Sequence, residues 1–166
     1  MKIPNRRWSV LCAFILALLI VGHVSAQGGD ADEKALAEYR LTDEGLEKFI
    51  QASRNLAAAV KADPRLAGAL EGADDGTIEE TAARYDSQPS VRRAMESADM
   101  TSAEYLTFMY SMIQAGMAAW LAEEYGSSEL PEGTPRQNVD YYIANKDKLA
   151  AATAELQELS GEAENE

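Results

Sequence analysis

The chain's 166 residues carry 28 acidic and 15 basic side chains, a net charge of −13. That surplus of negative charge argues against nucleic acid and anionic lipid as partners. Its one cysteine and one histidine, Cys12 and His23, both fall within the first 26 residues, and the rest of the chain has neither. Beyond residue 26 this excludes disulfides, Cys/His zinc sites, histidine-ligated haem or iron, and nucleophiles activated by histidine.

Residues 1–26 read as a cleaved signal peptide. Lys2, Arg6 and Arg7 form a basic start, Val10 to Val21 is apolar apart from Cys12, and Val24-Ser25-Ala26 supplies the small residues of a signal-peptidase site. The apolar run falls short of the ~20 residues that span a bilayer. The expected localisation is therefore exported, periplasmic or extracellular, with Gln27 as the first mature residue. All 28 acidic but only 12 of the 15 basic residues lie past residue 26, so the mature chain carries −16. Its length suits one domain.

Residues 27–40 are Gly-, Asp- and Glu-rich and read as a flexible acidic lead-in, briefly helical at 34–39. A single helical domain is expected over 41–159. Thr42 caps its first helix, with Leu41 and Leu46 placed as a hydrophobic staple and Phe49, Ile50, Leu56 and Val60 continuing the apolar stripe. Asp63-Pro64 closes that helix and starts a short one through Leu66 and Leu70. After a loop over 71–76, Thr77 with Glu80 is a capping-box pattern, and a short helix around Val91, Ala94 and Met95 follows Pro89.

Thr101 with Glu104 repeats the capping box and opens a helix over about 102–125. The 18 residues from Tyr105 to Ala122 contain no charge. A helix apolar nearly all round is buried, in a protein core or in a membrane, and flanking Glu104, Glu123 and Glu124 favour the core. Gly126 ends it. The last helix is expected over 136–159, with Val139, Tyr142, Ile143, Leu149, Thr153 and Leu156 on one apolar face, divided or kinked at Asn145 and capped by Asn138, before a disordered acidic tail at 160–166. No alternating pattern is long enough for a sheet. The expected fold is all-α, an irregular or orthogonal bundle of five or six helices around the central one.

Two candidate sites emerge. Met109, Met112, Met117 and Trp120 belong to a Met and aromatic stripe that suits an apolar ligand or ordinary core packing. Arg136, Asn138, Tyr141 and Tyr142 follow a Pro- and Gly-containing loop and offer residue types favoured at contact hot spots. Asp74-Asp75-Gly76 resembles a calcium loop, but Ala73 and Ala82 stand where that loop needs ligands. Paired carboxylates are the remaining route to catalysis, with glycoside hydrolysis as its type, and no credible pair stands out.

Met112-Ile113-Gln114-Ala115-Gly116-Met117-Ala118 and Leu130-Pro131-Glu132-Gly133, followed by Asn138-Val139-Asp140-Tyr141-Tyr142, resemble a group of small exported bacterial α-helical proteins without assigned function. The resemblance implies export and a helical body, and no activity. The expectation is an exported, non-enzymatic binding or interaction protein with no cofactor and no metal. It acts on a protein partner or by self-association, without stable membrane insertion after signal cleavage. One alternative is an apolar-ligand carrier with a Met-lined core, and another is a carboxylate-only hydrolase of cell-envelope sugars.

Overall fold

The computed structural model describes residues 30–70, 76–126 and 130–160. The expected signal peptide, Asp74 and Asp75, and the tail beyond Ser160 lie outside the described residues.

The described residues form eight helices and no strand: α1 (Asp30–Glu38), α2 (Asp43–Ala62), α3 (Arg65–Leu70), α4 (Ile78–Asp86), α5 (Pro89–Glu96), α6 (Ser102–Tyr125), α7 (Arg136–Ala144) and α8 (Lys146–Ser160). The fold is an all-α bundle, as expected, with α6 as the central helix at the bounds read from the sequence. The count exceeds the five or six expected. The last helix divides into α7 and α8 at Asn145, and α1 forms inside the expected lead-in, where Leu36 is buried in the core. Asp32 on α1 accepts the Ile78 N–H at 3.0 Å and so holds α1 against the start of α4.

Local chemistry sets the helix starts. Thr42 accepts the Gly45 N–H at 3.1 Å. Thr77 with Glu80 and Thr101 with Glu104 form complete capping boxes, so each hydroxyl takes a first-turn N–H while the glutamate returns to the cap's own N–H. Between α5 and α6 the chain turns through Asp99 at φ 52°, with Met100 N–H donating to Met95 O and Asp99 N–H to Glu96 O. This is a Schellman closure built on a residue other than glycine.

The core gathers around the first half of α6. The Phe49 ring stacks between Tyr105 and Phe108, at centroid distances of 4.9 and 5.0 Å. Tyr39 meets Phe108 edge-on at 6.4 Å. Such pairs add about 0.5–1.5 kcal/mol each beyond the area they bury. The Tyr105 hydroxyl, fully inside, lies 3.1 Å from Ser53 Oγ.

The closing helices run alongside α2 in the same direction. Asn138 meets Leu41, Tyr141 meets Asp43, Lys148 meets Glu47 and Arg54 meets Glu155, in ascending order along both segments. Arg54 and Glu155 form a two-bonded pair at 2.7 and 2.6 Å.

Candidate functional site: a groove between α6 and α7

The two ends of α6 have different surroundings. Its opening turns share a cleft with α1 and α4, whereas its later turns carry α7. Gly116 makes that second contact close. A β-carbon at Gly116 would stand 3.0 Å from ring carbons Cε2 and Cζ of Tyr142, so the ring lies directly on the helix backbone. Further along, Lys146 reaches Glu123 at 3.4 Å, so α7 advances in the same sense as α6.

Between these contacts opens a groove of about 420 Å³, lined by Gly116, Ala119, Trp120 and Glu123 of α6 and by Tyr142, Ile143 and Lys146 at the α7–α8 turn. Its size lies in the range of small-ligand and side-chain pockets. Trp120 is half-buried and meets Tyr125 edge-on at 5.7 Å. Ile143 in the lining is 56% exposed, as is Met117, three residues before Trp120 on α6. The result is an apolar surface that no described helix covers. Burial also pushes the Tyr142 hydroxyl above the ordinary tyrosine range.

The residues singled out from sequence separate on this frame. Met109 and Met112 are core residues, each 2% exposed, and line neither cleft. Met117, from the same stripe, faces outward, and Trp120 forms a groove wall. Asn138 is 1% exposed. It sits inside the first turn of α7, where Pro135 takes the cap position in its place. Asn138 Oδ1 accepts the Leu41 N–H at 3.0 Å and its Nδ2 donates to Tyr39 O at 3.1 Å, tying α7 to the turn between α1 and α2. The Tyr141 hydroxyl donates to Asp43 at 3.0 Å. Burial and then this carboxylate push its pKa far upward. Arg136 is exposed at the helix start, away from the groove lining. Tyr142 and Trp120, drawn from different candidate sets, are the two that line the same groove.

Ile143 is the groove residue that sequence reading misplaced. Helical spacing put it on the inward face with Val139 and Tyr142, but the chain turns at Asn145 and leaves it at the edge.

The second cleft, about 380 Å³, lies between α1, α4 and the start of α6, and brings Asp32, Glu79 and Asp86 to an alanine-rich floor. Asp32 accepts the Ile78 N–H, and Asp86 accepts the Ser102 hydroxyl at 2.6 Å, so both carboxylates hold helix starts. Glu79 and Asp86 are exposed. Among the described residues no three His, Cys, Asp or Glu side chains gather as metal ligands, and no helix is long and apolar enough to cross a membrane.

Among known proteins, no family model, curated protein or solved structure matches the chain.

Proposed function

We propose that the chain is an exported, non-enzymatic interaction protein that holds a partner in the groove between α6 and α7. The observation that carries this reading is the apolar surface of Trp120, Tyr142 and Ile143, left uncovered along the later turns of an otherwise packed central helix. Apolar side chains grouped along a groove and left exposed are a recurring feature of contact sites. Aromatic residues at its centre supply area with little loss of side-chain freedom.

The carrier reading moves with the site. An apolar ligand would lie in this groove, because Met109 and Met112, first considered for it, are buried with Phe108 in the core. The hydrolase reading has less support. It requires one carboxyl kept protonated beside an ionised one, and the carboxylates that share a cleft are exposed or engaged with helix starts. Export rests on the basic start, apolar run and small-residue site of the first 26 residues.

Native mass spectrometry of the protein purified gently from its host, run beside an Ile143→Ser variant, tests the reading. A discrete added mass on the parent chain that the variant loses is the expected result. A bare monomer in both samples overturns it. Amino-terminal sequencing of the same sample tests export, with Gln27 as the expected first residue.

A further inference from the structure

Beyond residue 26 the chain holds five methionines and no cysteine, so thioethers are the only sulfur there. Four of the five are closed off: Met95, Met100, Met109 and Met112 lie in the core, 1 to 6% exposed. Met117 is 56% exposed. Helix geometry separates it from its neighbours on α6. The five residues from Met112 to Met117 turn the side chain by about 140° away from the face that Met112 buries. Trp120 follows Met117 by three positions on the unbroken helix, a spacing that makes side chains neighbours. That indole is a half-buried wall of the groove.

We infer that Met117 is a site of reversible oxidation by peroxides, and that its sulfoxide alters the groove wall at Trp120. The sulfur attacks one oxygen of hydrogen peroxide. An S–O bond forms as the O–O bond breaks, and sulfur gives up two electrons. The departing hydroxide takes the proton of the transferred oxygen and leaves as water. A flexible apolar side chain becomes a polar one, and a methionine sulfoxide reductase with a thiol reductant reverses the change. The four buried methionines meet peroxide only when the core opens, so the fold itself makes the reaction selective. The assignment stands on exposure and helix spacing, and holds whether or not the groove binds a partner.

The full chain carrying Trp8→Phe tests both halves, because Trp120 is then its one tryptophan. It is treated with rising doses of dilute hydrogen peroxide, and catalase stops each reaction. Cleavage after Glu104 and Glu123 releases a peptide with Met109, Met112 and Met117, and fragmentation mass spectra place the added oxygen. Met117 is expected to gain oxygen at least about tenfold faster than Met95, Met100, Met109 or Met112. Trp120 emission is expected to shift in step, and sulfoxide reductase to restore both mass and emission. Met117→Leu keeps the volume and apolarity of the side chain, and is expected to show no emission shift at the same doses. In urea the five methionines are expected to oxidise at similar rates.

Equal rates in the folded chain, or a buried methionine oxidised first, overturns the site. So does the same order of oxidation in urea, which would mean that burial does not set it. An emission shift that persists in Met117→Leu, or none once Met117 carries oxygen, overturns the link to the groove wall. Far-UV circular dichroism of parent and variant confirms that the helices are intact.

Discussion

Tyr142 occupies the space in which a side chain at Gly116 would begin. A methyl group there would lie 3.0 Å from two ring carbons, closer than packed carbons approach. Two effects oppose each other in Gly116→Ala. Alanine favours the helix by about 1 kcal/mol, and overpacking against the ring costs about 1–3 kcal/mol. The variant is expected to be less stable by about 1 kcal/mol in urea denaturation and to bind groove ligands more weakly. In a Tyr142→Ala background the same change is expected to stabilise. A Gly116→Ala effect that is identical in both backgrounds would show that the ring and the helix are not coupled.

Asn138→Leu removes a side chain that satisfies the Leu41 N–H and the Tyr39 carbonyl together. Each buried group left without a partner costs about 1–3 kcal/mol, so a loss of about 2–5 kcal/mol is expected. On a domain of this size that lowers Tm by on the order of 10 °C. Arg136→Ala, two positions earlier and exposed, is expected to leave Tm nearly unchanged. Calorimetry of the two variants checks the contrast.

Ser111 is buried in α6, and its hydroxyl has no hydrogen-bond partner among the described residues. Ser111→Ala removes an unsatisfied polar group and raises helix propensity, so it is expected to stabilise the protein by about 1 kcal/mol. Thr101→Ala breaks a capping box on the same helix and is expected to destabilise by about the same amount. Chemical denaturation of the pair should give shifts of opposite sign. A destabilised Ser111→Ala would mean that the hydroxyl is bonded in solution.

Alkaline pH acts through the tyrosines. Burial raises the pKa of Tyr39, Tyr105, Tyr141 and Tyr142 in the folded protein, with nearby carboxylates adding to the effect at Tyr39 and Tyr141. In the unfolded chain each reverts to about 10. Above that pH the unfolded state therefore holds fewer protons than the native state, and stability falls as pH rises. Their contribution is complete below about pH 10 and is lost as pH climbs through the raised folded values. Absorbance at the tyrosinate band should show late-titrating residues that ionise together with unfolding. Independent, early titration of all seven tyrosines would contradict this.

What could be read from the sequence was what local chemistry decides. Thr42, Thr77 and Thr101 cap helices because their partners lie three residues away, and α6 runs at the expected bounds between Thr101 and Gly126. The asparagine at 145 divides the last helix, as its place in the pattern suggested. The remainder depended on distant contacts. Asn138 looked like a cap or a surface group, and nothing near it in the chain signals bonds to residues 39 and 41. Met117 and Ile143 have the same apolarity as buried neighbours, and which faces of α6 and α7 the rest of the bundle covers decides that they are exposed. The two halves of the groove were each suspected, but their meeting depends on Gly116, whose missing side chain carries no periodic signal.

The alignment of α7 and α8 with α2 also governs when the fold can form. The partners Leu41–Asn138 and Arg54–Glu155 are separated by 97 and 101 positions, so the seam between α2 and the closing helices forms only when the last segment of the chain is available. Contacts of such separation slow folding, because a long loop must close before any of them forms. A chain still being synthesised has its α2 without the helices that complete it. That face of α2 therefore stays uncovered until nearly all of the chain has been made.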